Sequence, residues 1–197
     1  MRNLGIYLFE NVELLDLAGP YEVFSVTSEL NNYELFRVFT VAEKMLPVRT
    51  VNGLSLVPDH SLVDHPSIDV LVIPGGVGIR KEIRNGRILD WIRPIIGSSE
   101  ITMSICSGAM MLAMAGILTG LPFTTHHEVV QDVLEIEGKA TFLRDTRFVD
   151  NGKILTAGGI SAGIDLSLHV VARLYGQEVA DRTAVYMEYG NWLEKRI

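Results

Sequence analysis

Short apolar runs alternate along the chain with stretches whose apolar positions recur at helical spacing, and many of the runs close on glycine or a small polar residue. This alternation is the pattern of an α/β protein. Leu4 to Phe9 reads as the first strand. After Glu10 to Leu17 comes Gly19-Pro20, where proline suits a first helical turn because its missing N–H would be unbonded there anyway. A helix over Tyr21 to Leu30 follows, then a strand over Glu34 to Ala42. Val48 to Val57, centred on Asn52-Gly53, predicts a hairpin, since Asn-Gly accepts the positive φ angles of a type I′ turn. Ile68 to Ile73 is a near-continuous apolar strand of the kind buried on both faces of a parallel sheet, and it runs into Pro74-Gly75-Gly76. A helix over Arg87 to Ile96, a strand over Glu100 to Ile105 and an uncharged helix over Ser107 to Ala115 come next. Thr125-His126-His127-Glu128 fits a capping box, ahead of an apolar face of Val129, Val130, Val133 and Leu134. Arg147 to Asp150 and Lys153 to Thr156, joined by Asn151-Gly152, predict a second hairpin. Gly158-Gly159 then opens a helix over Ser161 to Leu174, and a last helix runs from Gln177 to about Met187. With no repeat, low-complexity tract or linker, one domain over residues 1–197 is expected.

Composition narrows the function classes. The 197 residues carry 17 basic and 24 acidic side chains, a formal net charge of −7, and 48% are hydrophobic, enough for a full core. No stretch concentrates Lys and Arg with stacking aromatics, so nucleic acid is not an expected partner. A single cysteine cannot close an internal disulfide, which makes a reducing cytoplasm the expected compartment. Ile101 to His127 carries no Asp, Glu, Lys or Arg, yet its greasiest part, Ala109 to Leu118, falls short of the roughly 20 apolar residues a bilayer needs. It reads as a buried strand and helix, and no membrane partner is expected.

The chemistry concentrates at Cys106, where an apolar strand meets a helix almost without a loop. Such an elbow lifts a nucleophile above the carboxyl edge of the sheet, and Ser107, Gly108 and Ala109 are small enough to let the backbone bend. The helix start is expected to favour a thiolate and to offer N–H groups to a developing oxyanion. Gly75 and Gly76 set bare amides at the end of a neighbouring strand, where they could complete an oxyanion hole with the N–H of Ser107. A dinucleotide fingerprint fails, because Lys81 stands where its third glycine belongs. Asp16, flanked by leucines, is a carboxyl whose surroundings would raise its pKa and let it donate a proton near neutrality, with a helix-capping role as the alternative and Glu13 in reserve. His127-Glu128-Val129-Val130-Gln131 misses the zinc-protease pattern at Gln131, so no metal is expected. Asp165 and His169 read as a local helical pair, and His60 and His65 as loop residues. His126 remains as a base able to line the site.

Asp16-Leu-x-Gly-Pro-Tyr-Glu-Val, Ile-Pro-Gly-Gly at 73–76, Ser-Ile-Cys-Ser-Gly-Ala at 104–109, Thr-Thr-His at 124–126 and Gly-Gly-Ile-Ser-Ala-Gly-Ile-Asp at 158–165 together resemble the ThiJ/PfpI superfamily of class I glutamine-amidotransferase-like proteins, in its isonitrile-hydratase branch. The resemblance implies a flavodoxin-like, doubly wound, mostly parallel sheet with helices on both faces, a homodimer, a small-molecule substrate and no cofactor. It also implies Cys106 as nucleophile, Asp16 as the carboxylate facing it, Ser107 where the hydratase has threonine, and Gly76 at the oxyanion position. Peptidase-like members carry histidine directly after the cysteine, and Ser107 departs from them. Two other functions fit the same residues. One is a cofactor-free glyoxalase or deglycase acting on small reactive carbonyls with His126 as base, and the other is a redox or ligand sensor working through Cys106. The regulators of this fold carry a helix-turn-helix region after it, for which a chain ending at Ile197 is expected to have no room.

Overall fold

A computed structural model describes residues 1–191; the last stretch of the domain expected over 1–197 lies outside the described residues. In chain order the elements are β1 (Arg2–Leu8), α1 (Leu14–Glu29), β2 (Phe36–Ala42), β3 (Val48–Arg49), β4 (Ser55–Leu56), β5 (His60–Ser61), β6 (Val70–Ile73), α2 (Ile79–Glu82), α3 (Gly86–Ser98), β7 (Ile101–Ile105), α4 (Ala109–Met114), β8 (Pro122–Phe123), α5 (Val130–Ile136), β9 (Thr141–Phe142), β10 (Phe148–Asp150), β11 (Ile154–Ala157), α6 (Ala162–Tyr175) and α7 (Gln177–Tyr186). The main sheet has seven strands in the order β10-β11-β7-β6-β1-β2-β5, all parallel to their neighbours except β10 against β11. This is the flavodoxin-like arrangement, with helices layered on the sheet. On one side α1, α6 and α7 pack on one another, while α4 packs against α2 and α5.

The central strands show why the sheet is parallel and covered. Every residue of β6 and β7 is buried, so neither strand has a face that water could take, and crossover helices have to supply the cover. In α3 the buried positions Ile88, Ile92 and Ile96 recur every four residues, and Asn85 caps the helix by accepting the Arg87 N–H at 3.1 Å. Burying each such isoleucine stabilises the fold by about 1.5–3 kcal/mol. From β1 the chain goes to β2 on one side and later to β6 on the other. A crevice opens at the carboxyl ends of β1 and β6, where this class of sheet holds its ligands.

Four local expectations need correction. The first helix begins at Leu14 rather than after Pro20, so Asp16 lies in its first turn and Pro20 inside it; the proline lacks the N–H that would bond the Asp16 carbonyl. The Asn52-Gly53 hairpin forms, but only Gly53 takes a positive φ, of +87°. Its N–H donates to the Thr50 carbonyl at 2.9 Å and Thr50 donates to Leu54 at 2.9 Å, a three-residue loop closed by a left-handed glycine instead of a type I′ turn. Thr125 makes no capping box. His126 Nδ1 accepts the Glu128 N–H at 3.3 Å, and the Thr125 hydroxyl is drawn away to the buried carbonyl of Cys106 at 2.7 Å. Asp165 and His169 do not pair, because Arg147 and Tyr189 take the carboxylate and His169 bonds Asp150 at 2.8 Å.

Candidate active site

Cys106 directly follows β7 with φ +55°, a left-handed conformation that costs a non-glycine residue about 1 kcal/mol or more. Neighbours hold it there. Its N–H donates to the Gly158 carbonyl at 3.0 Å, and its carbonyl accepts the Thr125 hydroxyl. The next residues turn tightly through Ser107 and Gly108 before α4 begins. At Gly108 a Cβ would stand 2.2 Å from the Ile73 carbonyl oxygen, so only glycine lets the elbow pass so close to β6.

Asp16 is fully buried, and its Oδ2 accepts the Gly75 N–H at 2.9 Å. Oδ1 has no hydrogen-bond partner. Burial pushes the carboxyl up to about 7; the Gly75 N–H opposes that shift and the nearby charge of Glu13 adds to it. The Cys106 thiol and the Ile160 N–H also lie close enough to favour the ionised form, without matching the effect of burial. Cys106 is pushed up to about 12, first by burial and then by the charge of Asp16, while the N–H groups of Ser107 and Ile160 pull it down. The expectation that the helix start would favour a thiolate is therefore corrected. α4 has only six residues, and burial beside a carboxyl outweighs what its end can supply. The resting pair is a thiol next to an acid that changes charge near neutrality.

The amides are also distributed differently from the expected oxyanion hole. Gly75 gives its N–H to Asp16, and Gly76 gives its own to the Ser107 hydroxyl oxygen at 3.0 Å. The N–H groups directed at the sulfur are those of Ser107 and Ile160. Ile160 stands within the run quoted at 158–165, but the sequence assigns it no role. It takes φ +48°, which a β-branched residue rarely does, and only the preceding Gly158-Gly159 hints at an unusual turn. At Gly159 a Cβ would lie 2.2 Å from His126 Cδ2, so the imidazole rests directly on that backbone. With Nδ1 accepting from Glu128, the proton of a neutral His126 ring sits on Nε2.

These groups surround a cavity of about 310 Å³. Cys106, Ser107 and Gly76 line one end of it, Val77, Val129 and Ile160 its apolar walls, and Glu13, Arg80, His126 and Glu128 its polar part. Asp16 and Gly75 stand behind, outside the lining. Arg80 is engaged by Asp132 at 2.5 Å, a bond that links α2 to α5. Among the described residues no three of His, Cys, Asp and Glu gather closely enough to hold a metal ion, and no helix is long and apolar enough to cross a membrane.

A cysteine on a strand-to-helix elbow, backed by a buried carboxyl at the crevice of a flavodoxin-like sheet, defines the class of protein. The chain belongs to the DJ-1/PfpI family, whose pattern matches residues 3–173. It is 33% identical to an isonitrile hydratase of Pseudomonas putida over 94% of this chain and 78% of that enzyme. It is 25% identical to the HTH-type transcriptional regulator GbdR of Pseudomonas aeruginosa, covering 91% of this chain but only 48% of the regulator's length. Glutathione-independent glyoxalase DJR-1.2 of Caenorhabditis elegans is 29% identical over 67% of this chain and 70% of its own. Among solved structures, a ThiJ/PfpI family protein from Pseudomonas syringae superposes with a TM-score of 0.86 at 25% identity, covering 95% of this chain and 75% of that one.

Proposed function

We propose that the protein is an isonitrile hydratase-like lyase that adds water to a small isonitrile and releases an N-substituted formamide. The observation that carries the reading is the Cys106–Asp16 pair: a buried thiol on a left-handed elbow beside a carboxyl pushed up to about 7, at the end of a cavity of about 310 Å³. An isonitrile carbon accepts both a nucleophile and a proton, so a thiol and a carboxyl that exchange one proton suit it. The sulfur bonds to that carbon while the thiol proton, relayed through Asp16, is delivered to the same carbon, giving a thioformimidate. Water then adds to the C=N carbon, its proton passing to nitrogen. The C–S bond breaks, the hydroxyl proton returns to sulfur by way of Asp16, and the formamide leaves with Cys106 again a thiol. The Ser107 and Ile160 amides hold the sulfur during both steps. Ser107, lining the cavity, orients the adduct through its hydroxyl.

The competing chemistries are served less well. A glyoxalase-type proton transfer needs a free base, whereas the second nitrogen of a neutral His126 already carries its proton. A redox sensor needs an exposed thiolate, whereas Cys106 is a buried thiol pushed up to about 12. The reading takes the protein as a cytoplasmic homodimer working without a cofactor. The test follows formamide production from cyclohexyl isocyanide by wild type and Cys106→Ser: turnover that drops at least about a thousandfold in the variant is expected. Equal rates in the two proteins, or none in either, would sink the hydratase reading.

A further inference from the structure

The reactive cavity has an uneven charge. Arg80, the one guanidinium among the described residues of its lining, is engaged by Asp132, so its charge is answered from outside the cavity. Glu13 and Glu128 also line it, and among the described residues neither carboxylate has a cationic partner. Glu13 is the stronger of the two. It is half-buried at the start of α1, its backbone N–H is fixed to the Gly75 carbonyl at 2.9 Å, and its charge reaches Asp16 behind the sulfur. Glu128 is exposed and more fully screened by water. His126 is the remaining titratable group of the lining, and Val77, Val129 and Ile160 between these groups offer only apolar surface.

We infer that Glu13, assisted by Glu128, makes the site select neutral and cationic electrophiles and reject those that carry a carboxylate or sulfonate, with the apolar walls taking the substituent. The inference rests on the proposal that Cys106 is the reacting group, and it names the substrate class: a compact isonitrile whose substituent is uncharged or bears an ammonium group. A substrate carboxylate would approach Cys106 past unpaired negative charge in a confined, partly desolvated space, where such repulsion is felt more than in bulk water.

The test separates charge selection from hydratase activity. Full-length protein is treated with three methanethiosulfonates: neutral methyl, cationic trimethylammonioethyl and anionic sulfonatoethyl. Each transfers its thiol half to Cys106 as a mixed disulfide and expels methanesulfinate, so the added mass reports the rate. Rates are divided by those on free cysteine, and the ratio between reagents then cancels any change in the reactivity of the sulfur itself. The cationic reagent is expected to outpace the anionic one by about tenfold, with the neutral reagent between them, and Glu13→Gln should narrow that spread by about threefold. Glu128→Gln should narrow it less, and about 0.5 M salt should compress it in the wild type. An anionic reagent as fast as the cationic one, or a spread that Glu13→Gln leaves unchanged, would overturn the inference. Cyclohexyl isocyanide and isocyanoacetate then serve as substrates. A charge ordering retained without isonitrile turnover would leave this inference standing and remove the hydratase reading, whereas turnover of both isonitriles at equal rates would do the reverse.

Discussion

Two carboxyl groups are buried in the described structure, and they share little beyond their burial. Glu82 on α2 is 7% exposed and accepts the hydroxyl of Tyr7 at 2.5 Å, with Phe9 and Trp91 packed around the tyrosine ring. Burial raises its pKa, and the Tyr7 bond opposes the rise. Asp16 is buried as deeply but keeps one oxygen without a hydrogen-bond partner, and its neighbours are a thiol and two backbone N–H groups. Burial raises both acids, so burial does not separate a structural carboxyl from a reactive one. The difference lies in the partner: a phenol that holds its proton closes the site around Glu82, whereas the role proposed for Asp16 depends on a thiol that can exchange one.

The comparison breaks first on activity. Asp16→Asn should lower kcat/KM for the isonitrile by about a hundredfold or more, while Glu82→Gln should stay within about threefold of wild type, measured in one steady-state assay. Equal losses would mean that both carboxyls act only through the fold. Stability tests it from the other side. Tyr7→Phe leaves the Glu82 oxygen without its donor and should cost about 1–3 kcal/mol in chemical denaturation, with turnover kept in the protein that remains folded. The last test depends on pH. Asp16 lies at about 7 in the folded protein against an ordinary 3.8, so its neutral form favours folding fully below about 3.8, and that contribution is lost as pH rises through about 7. Asp16→Asn removes this loss and should therefore gain stability on wild type between about pH 5 and 8, by on the order of 1–3 kcal/mol. Wild-type turnover should fall over the alkaline part of the same range, as Asp16 gives up its proton. A difference that stays flat across this range would show that Asp16 is ionised throughout.

Much of this arrangement was legible in the sequence, because it depends on residues with few conformational options. The near-continuous apolar run at Ile68 to Ile73 could only be a covered strand, and Cys106 followed by small residues could only be a tight turn at the sheet edge. The flanking leucines mark Asp16 as a carboxyl in apolar surroundings, but its place within a helix is hidden, since Pro20 suggests that the helix begins there. Reading failed where a group had two possible partners. Thr125 could cap a helix or bond the Cys106 carbonyl, and the Gly75 amide could face an oxyanion or Asp16; only the assembled fold decides between them. The part played by Ile160 is not legible, because nothing in an isoleucine announces a positive φ.

Gly75 also bears on how such a protein could change over generations. Its φ lies outside the left-handed region, so the backbone alone would accept alanine, yet a Cβ there would come within 2.6 Å of Ser107 Oγ, 2.7 Å of Ser107 N and 2.8 Å of Asp16 Oδ2. One methyl group would wedge apart the elbow and the acid behind it while leaving every reactive atom in the sequence. A glycine codon becomes an alanine codon by a single base change. A single base change could thus part the elbow from the acid without touching either residue, and separate the scaffold from the chemistry proposed for Cys106 and Asp16.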